Sequence, residues 1–370
     1  MNPKHILHIT FDMRIGGTEQ VIRNLVEGLD PTRFKSTILC TDGKIGPWGK
    51  ELQAKGFNHI CLDRQAGFDV QLVKAIHRLI KSEKIDIVHC HQYSPYSYGV
   101  LAALFTGIPV IFTEHGRFYP DFSTTKRKLL NPLLQLRTKA ITAISAATKD
   151  ALVTFENLSA GKIEVIYNGI ADLTENFCTE QQALRSTLGL KQGDIVFGTI
   201  SRLDPIKNQT MMLKAFDKAR NSQKNLKLLI VGDGPEMDTL QALTDSLQLQ
   251  GEVIFTGFQS NPQAYLSLMD VFLLPSLSEG TSMTLLEAMS FSKPSIATAV
   301  GGTPEIIEDR KTGLLTENKD ETALCEAMTT LAKNESLRFQ YGKNARKSYE
   351  ARFTLPAMTH AYEALYQRIS

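Results

Sequence analysis

A chain of 370 residues, 42% apolar and 22% charged, is longer than one ordinary domain and suits two, each able to build its own core. The formal net charge of +2 supplies no bulk electrostatic pull towards nucleic acid or membrane, and no nucleic-acid partner is expected. The apolar run near the N-terminus is short for a signal-peptide core, and the longest one, 99–112, is broken by Gly107-Ile108-Pro109 and cannot span a bilayer.

Short β-branched runs predict strands at 5–11, 36–41, 57–63, 85–91, 109–115, 140–145 and 162–167. Helical periodicity fills most gaps, for example at 18–29, 70–81 and 146–155. At Asn168-Gly169 the rhythm pauses for a polar stretch. It restarts with strands at 194–201, 226–231, 253–258, 271–275, 294–300 and 313–316. This alternation predicts an α/β protein of two doubly wound domains, joined near 168–180, with parallel sheets covered on both faces. Residues 1–170 form the first and 171–354 the second, while the last helical stretch, 355–369, follows a Pro-bearing break and suits either. Cys40, Cys61, Cys90, Cys178 and Cys325 are scattered and lack CxxC spacing, which reads as buried thiols in a reducing, cytoplasmic compartment.

In doubly wound sheets ligands sit at the carboxyl ends of strands. After the first strand, Gly16-Gly17 allows close backbone approach and Thr18 is a candidate helix cap; a plain tight turn reads equally well. No GxGxxG occurs, which argues against a nicotinamide or flavin enzyme. His89 and His91 share one strand face, with Glu114 and His115 at the next strand's end; substrate contact, structural histidines and a His-His-Glu metal site are the readings open there. Arg202, past a strand, and Lys207, at a helix start, match a pyrophosphate in charge and geometry. "VGDGP", from Val231 through Gly232, exposes backbone at the same edge or merely connects two elements.

In "SEGTSMTLLEAM", Glu279-Gly280-Thr281-Ser282 leads into a helix with Met283 and Thr284 in its first turn. Its free amides suit phosphate. Glu279 and Glu287 suit hydroxyls instead, unless Glu287 only completes a capping box with Thr284. "GGTPEI" adds a further backbone platform. Amides and cations for phosphates, with carboxylates for hydroxyls, imply a nucleotide-sugar.

With these motifs the chain resembles the family 4 retaining glycosyltransferases of the GT-B fold over nearly its whole length. The most specific part is the pair Glu279 and Glu287, followed by "GGTPEI", with "SRLDPIKN", "VGDGP", "IYNGI" and "IGGTE" in the family's order. The resemblance implies two Rossmann-like domains facing across a cleft, an N-terminal one for the acceptor and a C-terminal one for the donor, with 355–370 crossing back onto the first. It further implies Arg202 and Lys207 on the donor diphosphate, Glu279 on the sugar and Glu287 on the ribose. Gly16-Gly17 would border the diphosphate and acceptor, and His115 would reach the transferred sugar. Where many relatives carry Gly-Phe-Gly, this chain has Gly280-Thr281-Ser282, so sugar preference does not carry over. The family chemistry needs no cofactor, and without an Asp-x-Asp pair in the sequence no metal is expected on the diphosphate. The expected donor is a UDP-sugar and the acceptor a glycan or lipid-linked saccharide. An epimerase of the same fold and a two-domain sugar-binding protein are the alternatives.

Residues 126–139, "KRKLLNPLLQLRTK", set Lys126, Arg127, Lys128, Arg137 and Lys139 around five leucines. Leu129, Leu130, Leu133 and Leu136 share a helical face, with Pro132 read as marking a helix start. Two readings are open: leucines in the core, or a peripheral contact with anionic membrane at its inner face.

Overall fold

The apolar runs of the first half are continuous rather than alternating, the pattern of strands covered on both faces. In the computed structural model they form β1 (Lys4–Thr10), β2 (Phe34–Cys40), β3 (Asn58–Cys61), β4 (Ile87–His91), β5 (Val110–Glu114), β6 (Thr138–Ala143) and β7 (Ile163–Val165). They make one sheet in the order β3-β2-β1-β4-β5-β6-β7, parallel at every pairing. All residues of β4 and β5 are buried. The structure describes residues 2–116, 122–174 and 181–370. Positions 175–180 of the predicted linker, with Cys178, lie outside them.

The chain divides into two compact units, Met1–Gly169 with Leu355–Ser370, and Ile170–Thr354. In the first, Ile9, Val88, Phe112 and Ile141 are among the strand residues of the core. The helix Val70–Ser82 shows how a covering element is specified. Leu72, Ile76 and Ile80, four residues apart, make its buried stripe, and Asp69 accepts from the Gln71 and Leu72 amides at its start. Loss of that cap costs about 1 kcal/mol. The final helix, Leu355–Ile369, buries Met358, Tyr362, Leu365 and Tyr366 in this unit. Glu363 ties it down, accepting from the Asp30 amide at 2.9 Å and the Arg33 guanidinium at 3.0 Å.

The second unit repeats the plan with β8 (Ile195–Ile200), β9 (Leu226–Val231), β10 (Val253–Phe255), β11 (Val271–Leu274), β12 (Ser295–Thr298) and β13 (Gly313–Thr316). Their order is β10-β9-β8-β11-β12-β13, again parallel. Phe197, Leu228 and Leu273 pack against Met212 and Phe216 of the helix Gln209–Ala219, and against Leu324 and Met328 of Glu321–Lys333. In each sheet the strand order reverses once, between β1 and β4 and between β8 and β11. Loops diverge at such a switch point and open a crevice beyond the strands' carboxyl ends.

Three local expectations fail. Thr18 does not cap its helix, which spans Gly17–Gly28 with Gly16 as N-cap and no side-chain cap; its hydroxyl instead accepts from Gln92 at 3.3 Å. Cys61 is exposed rather than buried, because β3 is the sheet's edge, and Cys325 is only partly buried. Pro132 does not start a helix but lies inside one, Thr125–Leu136, which begins with Thr124 accepting from the Arg127 amide. A proline there has no N–H for the carbonyl four residues back. The Asn157 side-chain amide takes that carbonyl, of Lys128, at 3.1 Å.

Candidate active site

In the second unit the predicted residues gather at the β8/β11 switch point. The loop after β8 turns through a 3₁₀ helix, Pro205–Lys207, started by Asp204, whose carboxylate accepts from the Ile206 amide. The Ile206 carbonyl accepts from the Leu277 amide at 2.8 Å, joining this loop to the one after β11. That junction brings Lys207 to Glu279. The ammonium donates to Oε1 at 2.6 Å, and the Ser276 hydroxyl donates to the same oxygen at 2.6 Å. Oε2 is left without a partner among the described residues. Such charge-assisted bonds are stronger than neutral ones, so the carboxylate is oriented before any ligand arrives. Arg202 is the freer cation, its side chain 72% exposed and 3.9 Å from Asp204.

Beyond Glu279 the helix Met283–Ser290 starts at Ser282, whose hydroxyl accepts from the Leu285 amide. The amides of Met283 and Thr284, in the first turn, have no carbonyl partner within the helix. The capping-box reading of Glu287 is thereby overturned: the cap is Ser282 and Glu287 lies in the second turn, buried, with Gln263 donating to it at 3.4 Å. Thr281 and Ser282 are buried as well.

Glycines set the approach of these loops. A Cβ on Gly232, whose φ is +135°, would meet the Ser201 carbonyl oxygen at 2.0 Å, and one on Gly234 would meet that of Leu203 at 2.2 Å. "VGDGP" therefore lies against the backbone flanking Arg202, and the Gly232 amide is spent on the Gly257 carbonyl. Gly301, at φ +50°, sits where a Cβ would meet the Glu279 carbonyl oxygen at 1.8 Å. The Gly302 amide donates to the carbonyls of Glu279 and Gly280. The platform seen in "GGTPEI" thus holds the glutamate loop. That role, and the part of Ser276, are not visible in the motifs themselves.

In the first unit the switch point lies beyond β1 and β4. Gly16 would place a Cβ 2.4 Å from the Glu19 carboxylate, whereas Gly17 opens onto free space. Burial pushes the Glu19 carboxyl up to about 7. A cavity of about 300 Å³ nearby is lined by Thr18, Gln92, Tyr93, His115, Arg127 and Glu156, among others. Arg127 pairs with buried Glu156 at 2.9 Å and stacks 4.3 Å over the Tyr93 ring. It is therefore not one of the outward cations of its helix.

His89 and His91 are joined from β1 by His8, which sits in register with His89. His8, His89 and His91 offer ring nitrogens within 4.8 Å of one another, enough in number for a metal, and Glu114 is not among them. Each ring nitrogen of the three already has a hydrogen-bond partner within 3.4 Å. Hydrogen bonding therefore accounts for the cluster without an ion. His91 Nδ1 lies 2.8 Å from His115 Nε2, while His115 Nδ1 is buried without a partner among the described residues. Burial holds His8 and His115 down at about 3, and His89 and His91 well below the usual value. All four rings are neutral at pH 7.

Comparison with known proteins covers both units. Residues 15–172 match the model described as Glycosyltransferase Family 4, and residues 180–348 the one described as Glycosyl transferases group 1. The N-acetyl-alpha-D-glucosaminyl L-malate synthase of Bacillus anthracis is 30% identical over 304 residues, covering 81% of this chain and 79% of that one. The UDP-Gal:alpha-D-GlcNAc-diphosphoundecaprenol alpha-1,3-galactosyltransferase of Escherichia coli is 27% identical over 376 residues, covering 98% and 96%. In fold, the structure of Anabaena HepE in complex with UDP matches with a TM-score of 0.87 at 20% identity, over 99% of this chain and 100% of that one. Two parallel Rossmann-like units with that likeness are the GT-B architecture. The chain accordingly belongs to the group 1, family 4 glycosyltransferases and is a sugar-transferring enzyme of that fold.

Proposed function

We propose that this glycosyltransferase takes a sugar from a nucleoside diphosphate, UDP favoured, and delivers it with retention to a glycan or lipid-linked acceptor, without a metal. The observation that carries the donor reading is the Lys207–Glu279–Ser276 cluster at a switch point, beside a helix start with open amides. Arg202, Lys207 and the amides of Met283 and Thr284 would take the diphosphate, with Gly232, Gly280, Thr281 and Ser282 shaping the backbone around it. Glu279 Oε2 is suited to a sugar hydroxyl and Glu287 to the ribose. His115 is assigned to the transferred sugar, and Gly16 and Gly17 to the diphosphate and acceptor. The second unit is thus the donor unit and the first the acceptor unit.

In the reaction the bond from the anomeric carbon to the phosphate oxygen breaks and one to the acceptor oxygen forms on the same face. The leaving phosphate takes the acceptor's proton. Cations and amides fixed beside the leaving group stabilise the charge that develops there. The comparisons support UDP and a lipid-linked acceptor: a structural neighbour is described with UDP, and a relative is named for a diphosphoundecaprenol substrate.

Peripheral membrane contact through 126–139 belongs to the same reading. No helix among the described residues is long and apolar enough to cross a membrane, whereas Leu129, Leu130, Leu133 and Leu136 of this segment are exposed.

The test is transfer from UDP-sugars to undecaprenyl-diphosphate saccharides, with the product's anomeric configuration read by NMR and the assay repeated in excess EDTA. An α-linked product from an α-donor, formed equally with EDTA, is expected. Sugar conversion without acceptor would mark an epimerase, and activity lost to EDTA and restored by manganese would overturn the metal-free mechanism.

A further inference from the structure

We propose that His91 and His8 are positioning residues that hold the His115 proton on Nε2, so that His115 Nδ1 is presented as a hydrogen-bond acceptor. The inference rests on the assignment of His115 to the transferred sugar. It starts from a continuous chain: Ser36 Oγ lies 3.4 Å from His8 Nε2, His8 Nδ1 is 3.1 Å from His91 Nε2, and His91 Nδ1 is 2.8 Å from His115 Nε2. The chain ends at His115 Nδ1, buried and unpartnered among the described residues, in a ring that lines the cavity beside Gln92 and Gly116.

A neutral imidazole has one donor and one acceptor nitrogen. If each contact in the chain is a hydrogen bond, each ring dictates the next, and only two arrangements exist. Either all three rings carry the proton on Nε2 and Ser36 accepts at the far end, or all three carry it on Nδ1 and Ser36 donates. A mixed chain would set two donors or two lone pairs face to face. Protonating a ring would relieve facing lone pairs but not facing donors, and His8 and His91 are wholly buried, where a charge is costly.

The open end chooses between the two arrangements. Nδ1 protonation would leave a buried N–H at His115 without an acceptor, the rarer defect in folded proteins; Nε2 protonation leaves only an unused lone pair. The resting chain is therefore protonated on Nε2 throughout, and His115 Nδ1 is ready to accept from a sugar hydroxyl. His89, bonded to Tyr366 and Thr113, stands outside the chain although its ring lies tilted 4.1 Å from that of His91.

Nitrogen-15 NMR of the imidazoles in the ligand-free protein reads the tautomers directly. His8, His91 and His115 should all show Nε2 protonation. In His8→Phe the His91 Nε2–H loses its acceptor, so His91 should move its proton to Nδ1 and drive His115 to Nδ1 protonation, although His8 makes no described bond to His115. His8→Asn restores an acceptor near the lost Nδ1 and should restore the His115 tautomer. Turnover should fall about two- to tenfold in His8→Phe, the factor one net hydrogen bond is worth, and recover in His8→Asn. Unlike tautomers among the three rings, an unmoved His115 in His8→Phe, or a metal co-purifying on these histidines would each overturn the proposal. Should His8→Phe not fold, the wild-type tautomers and His8→Asn still decide it. A switched His115 with unchanged turnover would uphold the coupling and remove His115 from the sugar.

Discussion

At the scale of single residues, the glutamate pair divides into two unlike environments. Glu279 Oε1 is already engaged by Lys207 and Ser276, which leaves Oε2 as its acceptor, while Glu287 is buried in the helix that follows. Glu279→Gln removes the charge that orients Lys207 and weakens the acceptor proposed for the sugar. Turnover should drop roughly 10²–10³-fold, as on loss of one electrostatic contact in a transition state. Glu287→Gln should raise the dissociation constant for UDP more than it lowers turnover. Glu287 is not a cap but is buried and bonded to Gln263, so the melting temperature of its variant is read alongside. Steady-state kinetics and calorimetric UDP titration of both variants check this; wild-type values in both would make the motif structural. The two glutamates were legible because motif and spacing lie in one short stretch. His8 was not, since one histidine in an apolar strand carries no mark of its partner. Only the β1/β4 register, which sets His8 opposite His89, brings it to His91.

At the scale of elements, boundaries were legible to within a few residues wherever apolar runs met turn residues, as at β9 and β13. The helix Thr125–Leu136 was not. Its leucines repeat at helical spacing, which ordinarily marks a core face, yet Leu129, Leu133 and Leu136 are 70%, 63% and 73% exposed and Leu134 alone is deeply buried. The element is anchored instead through polar groups. Asn131, fully buried, donates to the Glu156 backbone and side chain and accepts from Tyr93. With Arg127 drawn into that network, exposed Lys126, Lys128, Arg137 and Lys139 remain around the apolar face. Anionic lipid would match both features, at about 1 kcal/mol per cation and roughly 1.5–3 kcal/mol for each leucine fully buried. The protein should co-sediment with phosphatidylglycerol vesicles at low salt and be released at high salt. Exchanging Leu129, Leu133 and Leu136 for Ser should abolish sedimentation and leave the melting temperature unchanged, since none of the three is packed. A wild type that ignores these vesicles at low salt would leave the exposed face unexplained by lipid.

At the scale of the whole molecule, the two-part rhythm of strands and helices carried the architecture, because parallel strands buried on both faces write themselves as unbroken apolar runs. The destination of the last helix was not legible from periodicity. It is decided by long-range bonds such as Glu363 to Asp30 and Arg33, which join residues over 300 positions apart. Each unit has its own core, so ligand effects on stability depend on where the ligand's contacts lie. Most of those proposed for the nucleotide, from Arg202 to Glu287, belong to Ile170–Thr354, Gly16 and Gly17 being the exceptions. UDP at a hundred times its dissociation constant should stabilise that unit by about 2.7 kcal/mol. For a unit of this size, 1 kcal/mol raises the melting temperature by about 2–4 °C, so the shift should be roughly 5–10 °C. Where melting resolves two transitions, UDP should move one of them far more than the other. Scanning calorimetry with UDP, GDP, ADP and NAD measures this, with UDP giving the largest shift. A shift with NAD alone would overturn the nucleotide-sugar reading, and a larger shift with GDP would reassign the base while leaving the diphosphate contacts in place.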